Sequence, residues 1–286
     1  MGDIRIQDME DKLRMRVRRF MSDKSSYGLP RQRILQTVRE SAQRAFLCGG
    51  AVRDIMLSTS RNNLVPRDLD IVLAYTNLED VAAAFSEGVK RRNRYGGVSI
   101  EIKNWSLDIW LLNKTWAFEN NYVEVAGFSD FPKTTFLDIE AVAVELFAKK
   151  GRKREIYSKG FFEAILKRTI EINLEDNPNP TTSIVRALSV AKKLKFAIGR
   201  NLANYILHYS SRIDLQELAN LYETRYPPSR FRVEDIHSCV QAIREQLRVS
   251  GKQRIKLPKS ENENRFQTMF WSNLFRHDKQ GAFSGV

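Results

Sequence analysis

A chain of 286 residues is long enough for one large domain or two modest ones, each with its own core. Its composition, 42% hydrophobic and 28% charged with 14 Gly and 8 Pro, excludes collagen-like, low-complexity and disulfide-scaffold proteins. Lys and Arg number 47 against 34 Asp and Glu, and the resulting net charge of +13 favours a polyanionic partner, nucleic acid first.

Residues 4 to 22 mix Met, Leu, Val and Phe with Arg at helical spacing, which predicts an amphipathic basic helix within a segment 1–30. A second helix is expected from Arg31 to about Arg44, and Ala45-Phe46-Leu47-Cys48 reads as a short strand entering Gly49-Gly50. The helix after Gly50 turns Val52, Ile55 and Met56 inward. Asp68 to Leu73 reads as a strand and Leu78 to Phe85 as a helix. Val98 to Ile102 and Leu107 to Leu112 form an expected hairpin that turns at Asn104. Phe136 to Phe147 supports either one more strand or a helix.

Helical periodicity then dominates, over Phe161 to Ile172, Ser183 to Leu194, Arg200 to Leu207, Leu215 to Tyr222 and Val233 to Val249. Lys252 to Asn264 is polar and reads as a loop, and the apolar stretch Phe266 to Phe275 suits docking. The expected fold is α+β: a small mixed-sheet head over 31–150, an all-helical neck and C-terminal lobe over 151–260, and a tail over 261–286.

Cys48 and Cys239 stand far apart and make no metal-ligand spacing with His208, His237 or His277, which argues against zinc. With no apolar run of about 18 residues and no leader-like segment, a cytoplasmic protein without membrane contact is expected. Basic clusters at Lys12–Arg19, Lys90–Arg94, Lys149–Arg154 and Lys192–Lys195 suit a phosphate backbone.

The chemistry concentrates near the front of the chain. Asp68 and Asp70, at i and i+2 on a strand, project from one face about 7 Å apart and can converge on divalent cations. Asp108, an acid flanked by Leu107 and Ile109 on a neighbouring strand, is the candidate third ligand. Such a trio suits Mg²⁺ or Mn²⁺ and in-line phosphoryl transfer. Gly49 and Gly50 let the backbone approach a nucleoside triphosphate and aim N–H groups from the helix start. Arg53 either touches phosphate or pairs with a carboxylate to orient the loop, and Asp54 suits the helix dipole.

Gly49-Gly50-Ala51-Val52-Arg53-Asp54 with Arg67-Asp68-Leu69-Asp70-Ile71-Val72 resembles the first motif of class II tRNA nucleotidyltransferases and bacterial poly(A) polymerases, in the polymerase-β-like superfamily. Ile139-Glu140-Ala141-Val142-Ala143 resembles the end of that family's second motif, and Ile184 to Leu188 with Lys193 to Phe196 resembles its neck helix. The resemblance implies a catalytic head, a helical neck, Mg²⁺, a nucleoside triphosphate donor and an RNA 3′-hydroxyl acceptor, tRNA among them, in a divergent and truncated member. Thr134, Thr135 and Phe136 stand where the family carries Arg-Arg-Asp, and Asn179-Pro180-Thr181-Thr182-Ser183 stands where it carries Glu-Asp-x-x-Arg. Those groups read the base edge and hold the triphosphate in the family. Thr, Ser and Pro cannot replace a planar Arg fork, so base selection unlike CCA addition is expected. Arg186 and Lys193 are candidates for replacement phosphate contacts; the alternative is solvated helix charge.

Two rival readings stay open at this point. One keeps the chemistry in a toxin or defence enzyme whose acceptor is a protein, small molecule or nucleotide. The other is a catalytically silent RNA-binding protein, against which the three acids Asp68, Asp70 and Asp108 argue. Oligomeric state is open.

Overall fold

The computed structural model describes residues 2–25, 28–59, 66, 68–93, 96–103, 105–225, 233–249 and 251–258. The tail 261–286, the turn residue Asn104, Arg67 and Arg94 lie outside the described residues. The chain divides into two compact units, 1–183 and 184–286.

In the first unit, helices α1 (Gly2–Ser22) and α2 (Gly28–Ser41) precede strand β1 (Arg44–Cys48) and helix α3 (Gly49–Leu57). Strand β2 (Asp68–Ala74), helix α4 (Leu78–Ala84), strands β3 (Val89–Arg92), β4 (Val98–Ile102) and β5 (Trp105–Leu111), and the single turn α5 (Trp116–Glu119) follow. Strands β6 (Val142–Glu145) and β7 (Ile156–Ser158), helix α6 (Phe161–Lys167) and the short strand β8 (Thr169–Ile170) come next.

Seven strands make one sheet in the order β3-β4-β5-β2-β1-β6-β7. Only β2 and β5 run parallel, and every other pairing in this sheet is antiparallel. Alternation assigns its faces. Leu69, Ile71 and Leu73 of β2, with Leu107 and Ile109 of β5, enter a core shared with Leu13 and Val17 of α1, Ile34 and Val38 of α2, and Val52 and Ile55 of α3. The opposite face carries a smaller cluster of Phe46, Cys48, Val72, Leu112, Phe118, Phe128, Phe131 and Ala143. It covers only one end of β2, and Asp68 and Asp70 stand half-buried at the other.

Several expectations shift at their edges. The helix expected from Arg31 starts at Gly28 and stops at Ser41, because Arg44 already belongs to β1. The stretch Phe136–Phe147, open between strand and helix, becomes a 3-10 turn at Asp138–Glu140 followed by β6, which β1 and β7 flank. The helix expected over Phe161–Ile172 ends at Lys167. Arg168 takes the left-handed conformation, φ 49°, and donates its N–H to the Ile165 carbonyl, which closes the last turn.

Helices dominate the second unit. Helix α7 (Pro180–Leu194) buries Ile184, Val185, Leu188 and Ala191, an i, i+1, i+4, i+7 stripe. Helices α8 (Arg200–Ser210), α9 (Leu215–Arg225) and α10 (Val233–Leu247) follow, and α10 packs on both of the others. Within the expected polar loop after Lys252, strand β10 (Arg254–Ile255) pairs antiparallel with strand β9 (Ala197–Gly199). The architecture is therefore α+β, a mixed-sheet head followed by a helical region with one short strand pair. Among the described residues no helix is long and apolar enough to cross a membrane.

Candidate active site

The parallel pairing of β2 with β5 sets the site. It places Asp70 directly beside Asp108 and Asp68 beside Ser106. Neighbouring strands lie about 4.8 Å apart, so carboxylates on registered residues reach the same small volume. Asp68, Asp70 and Asp108 are all half-buried on the sheet face opposite the main core. The Ser99 hydroxyl donates to Asp108 Oδ1, because the antiparallel register of β4 with β5 sets Ser99 across from Asp108.

The same register reaches the sheet edge. Arg91 of β3 pairs with Ser99 of β4, so Arg91, Ser99, Asp108 and Asp70 form one lateral row on one face. Arg91 is exposed. A second row holds Glu101, Ser106 and Asp68, with the Ser106 hydroxyl 2.9 Å from Glu101 Oε1. Ser99 and the lateral position of Arg91 were not singled out from the sequence. The polar positions of the alternating strand Val98–Ile102 are the signal that locates Ser99, once its register is known.

Strand β1 brings the glycine turn to these acids. Cys48 ends β1 extended and donates its thiol to the Asp70 carbonyl at 3.3 Å, and α3 starts at the next residue. Gly49 has φ +62°, and a Cβ there would lie 3.4 Å from Asp70 Oδ2. The backbone angle is what favours glycine here, since the Cβ position itself is in ordinary contact with the carboxylate. Burial pushes the Cys48 thiol well up, and the neighbouring Asp70 charge pushes it further in the same direction. It stays a protonated donor at neutral pH.

Arg53 makes the carboxylate pairing that is one of its two sequence alternatives. It is 6% exposed, its Nε donates to Asp54 Oδ1 at 2.9 Å, and its Nη1 pairs with Glu140. Glu140 is itself buried, and a Cβ on Gly50 would lie 3.4 Å from the Arg53 guanidinium. The ion cluster lies against the second glycine and ties the start of α3 to the turn before β6. The weak motif around Glu140 gave no hint of this partner, 87 residues away.

Thr134 and Thr135 direct their hydroxyls at the Phe131 and Pro132 carbonyls, at 2.7 and 3.2 Å. Asn179 accepts the Thr182 N–H at 2.9 Å and caps α7. Arg186 and Lys193 are exposed on α7, in the second unit. The tryptophans around the hairpin are engaged within the protein. Trp105 is buried edge-on to Phe20, Trp110 donates to Thr115 Oγ1 at 3.1 Å, and Trp116 stacks on Tyr122.

Among the described residues no three His, Cys, Asp or Glu side chains stand already gathered as a metal cluster. The donor chemistry nevertheless fits a hard divalent cation. Asp68, Asp70 and Asp108 supply oxygen alone, on two adjacent strands, with Asp70 and Asp108 in direct register.

No protein-family model and no curated protein matches the chain. Solved structures do. The CCA-adding enzyme of Thermotoga maritima complexed with tRNA aligns with TM-score 0.55 at 17% identity, over 96% of this chain and 62% of that one. A CCA-adding enzyme with CTP aligns with TM-score 0.52 at 18% identity, over 85% and 62%. A tRNA nucleotidyltransferase complexed with a primer tRNA and an incoming ATP analog aligns with TM-score 0.50 at 18% identity, over 86% and 71%. The chain spans about three fifths of the length of the first two. It has the fold of these enzymes.

Proposed function

We propose that the chain is a metal-dependent nucleotidyltransferase, which moves a nucleoside monophosphate from a nucleoside triphosphate to the 3′-hydroxyl of an RNA, with tRNA in that class. The observation that carries this reading is the Asp70–Asp108 register across β2 and β5, with Asp68 on the same face and Gly49 against Asp70. The family fold and the tRNA and nucleotide complexes of the similar proteins support it. The head extends past residue 150 to take in β7 of the sheet and helix α6, and the helical second unit is assigned to the neck and C-terminal lobe.

In this reading Asp68, Asp70 and Asp108 would hold Mg²⁺ or Mn²⁺, and a bound cation would supply charge neutralisation for the attacking hydroxyl and the leaving pyrophosphate. The chain's own groups do the rest. Gly49 and Gly50 let the N–H groups at the start of α3 face the triphosphate, with the helix dipole behind them. The Arg53–Asp54–Glu140 cluster fixes that helix start, so Arg53 and Asp54 act as positioning residues. Arg186 and Lys193 are assigned to phosphate contact. Base selection differs from CCA addition, because Thr134, Thr135 and Asn179 bond to their own backbone and offer no planar fork to a base edge.

The test is incubation of the full chain with each α-labelled nucleoside triphosphate, Mg²⁺ or Mn²⁺ and total RNA, beside Asp68→Asn and Asp70→Asn controls. Label in RNA that disappears in the controls is expected. Label in protein or in a small product would replace RNA with another acceptor. RNA binding without label under any condition would leave a silent fold.

A further inference from the structure

The fold joins two basic segments that lie far apart in sequence. Arg14 of α1 donates its Nε to the Arg154 carbonyl at 2.9 Å, and Lys153 Nζ lies 3.7 Å from Asp11. The β6–β7 connection thereby lies along α1; burial lowers the pKa of Arg154, and the charge of Arg18 adds a smaller push in the same direction.

The acids nearest the contact between α1 and the connection are held by framework cations, while Asp8 stands exposed further along α1. Glu10 and Asp11 hold Arg14, while Glu145 and Glu155 hold Arg152. Arg18, Lys149 and Lys150 are exposed and have no ion pair among the described residues. The surface therefore presents three uncompensated cations, one on a helix packed through Leu13 and Val17 and two on the connection between Glu145 and Ile156.

We infer that this surface, made by α1 and the β6–β7 connection, docks the phosphate backbone of a polynucleotide. It lies at the opposite end of the sheet from the carboxylates. Strand β1 runs from Arg44 to Cys48 beside Asp70, while β6 runs back from Ala143 beside Cys48 to Glu145 beside Phe46. The five residues of β1 span about 16 Å, so a strand docked there meets the protein well beyond the reacting end. An acidic membrane is the less suitable occupant. The apolar side of α1 is spent on the core, and its exposed large apolar side chains, Ile4 and Met15, stand eleven residues apart and form no continuous apolar face.

Binding is read independently of transfer, so the inference stands or falls apart from the proposed reaction. Anisotropy of a fluorescein-labelled single-stranded RNA is followed across a potassium chloride series for the full chain, for Lys149→Glu/Lys150→Glu and for Arg18→Glu. Thermal melting confirms that each is folded, and the lysine pair decides the matter if Arg18→Glu is not. The expected result is affinity at least about tenfold weaker in each variant at low salt, with a log–log salt slope shallower by about 0.7 for every phosphate that a removed cation had neutralised. Unchanged affinity and slope would overturn the inference. So would a loss confined to Arg186→Glu/Lys193→Glu, or binding to phosphatidylserine vesicles that the lysine pair abolishes while RNA binding persists.

Discussion

Gly49 is where conformation and chemistry meet in one residue. Its φ of +62° disfavours any L side chain by about 1 kcal/mol, and a methyl there would touch Asp70 Oδ2 at 3.4 Å. Gly49→Ala is expected to lower the unfolding free energy by about 1–2 kcal/mol and to cut transfer by more than tenfold. A denaturant titration and a single-turnover labelling assay check the two parts, and full transfer by the destabilised variant would detach the glycine from the site. Asp138, on the turn that also carries Glu140, gives a pH signature. Burial pushes its carboxyl up to about 7 and Glu171's charge adds to the rise, while the Glu171 N–H, 2.9 Å from Oδ1, and Lys167 act the other way. Its folded pKa lies above the unfolded value, so between about pH 4 and 7 the folded chain binds more protons and loses stability as pH rises. Asn does not titrate and still accepts the Glu171 N–H. Asp138→Asn is therefore expected to melt progressively higher than the parent chain from pH 5 to pH 8, by up to about 4 kcal/mol in stability. A difference independent of pH would refute it.

At the scale of the element, the lateral row across β3, β4, β5 and β2 extends the proposed active face to the sheet edge. Arg91 stands two strands from Asp108, about 10 Å between backbones, within reach of a substrate phosphate at the acids. Arg91→Glu is expected to lower kcat/KM for transfer about tenfold or more and Arg91→Lys much less. Melting stays unchanged in both, because the side chain is exposed on an edge strand. Equal rates for all three proteins would remove Arg91 from the substrate path. This row also marks the limit of what the sequence discloses. Strands β2, β4 and β5 are legible because Leu69 and Ile71, Val98 and Ile100, and Leu107 and Ile109 alternate with polar residues that face solvent or the site. Strand β3 is not, since Val89-Lys90-Arg91-Arg92 is exposed on both faces and has no alternation to read. The acids and the glycine turn were legible as local patterns. The Ser99–Asp108 bond and the Arg53–Glu140 pair were not, because pairing register and a contact across 87 residues exist only in the folded chain. The end of α6 escaped for a local reason, Arg168 taking a left-handed turn that glycine normally announces.

For the whole molecule, net charge and base reading make separate demands. In the proposed reading a charge of +13 would favour any polynucleotide and carries no sequence information, so it would set affinity and salt dependence rather than which nucleotide is added. Nucleotide choice needs directed hydrogen bonds. A site that hydrogen-bonds a base edge rejects an analogue lacking those groups by about 10⁴–10⁵, whereas shape alone in an apolar pocket discriminates by about 10–200-fold. The residues standing where such readers belong in similar sequences are otherwise engaged. Thr134 and Thr135 turn back on the carbonyls of Phe131 and Pro132, Asn173 holds that turn through the Pro132 and Thr135 carbonyls at 2.8 Å, and Asn179 caps α7. None of these bonds can be redirected to a base without opening the turn or the helix cap. The kcat/KM values for the four nucleoside triphosphates are therefore expected to fall within about 100-fold of one another. A steady-state series with one RNA acceptor and saturating Mg²⁺ measures them directly. Preference for CTP and ATP over UTP and GTP by more than about 10⁴ would require a base-edge reader elsewhere in the chain and would return the reaction to CCA-type selection.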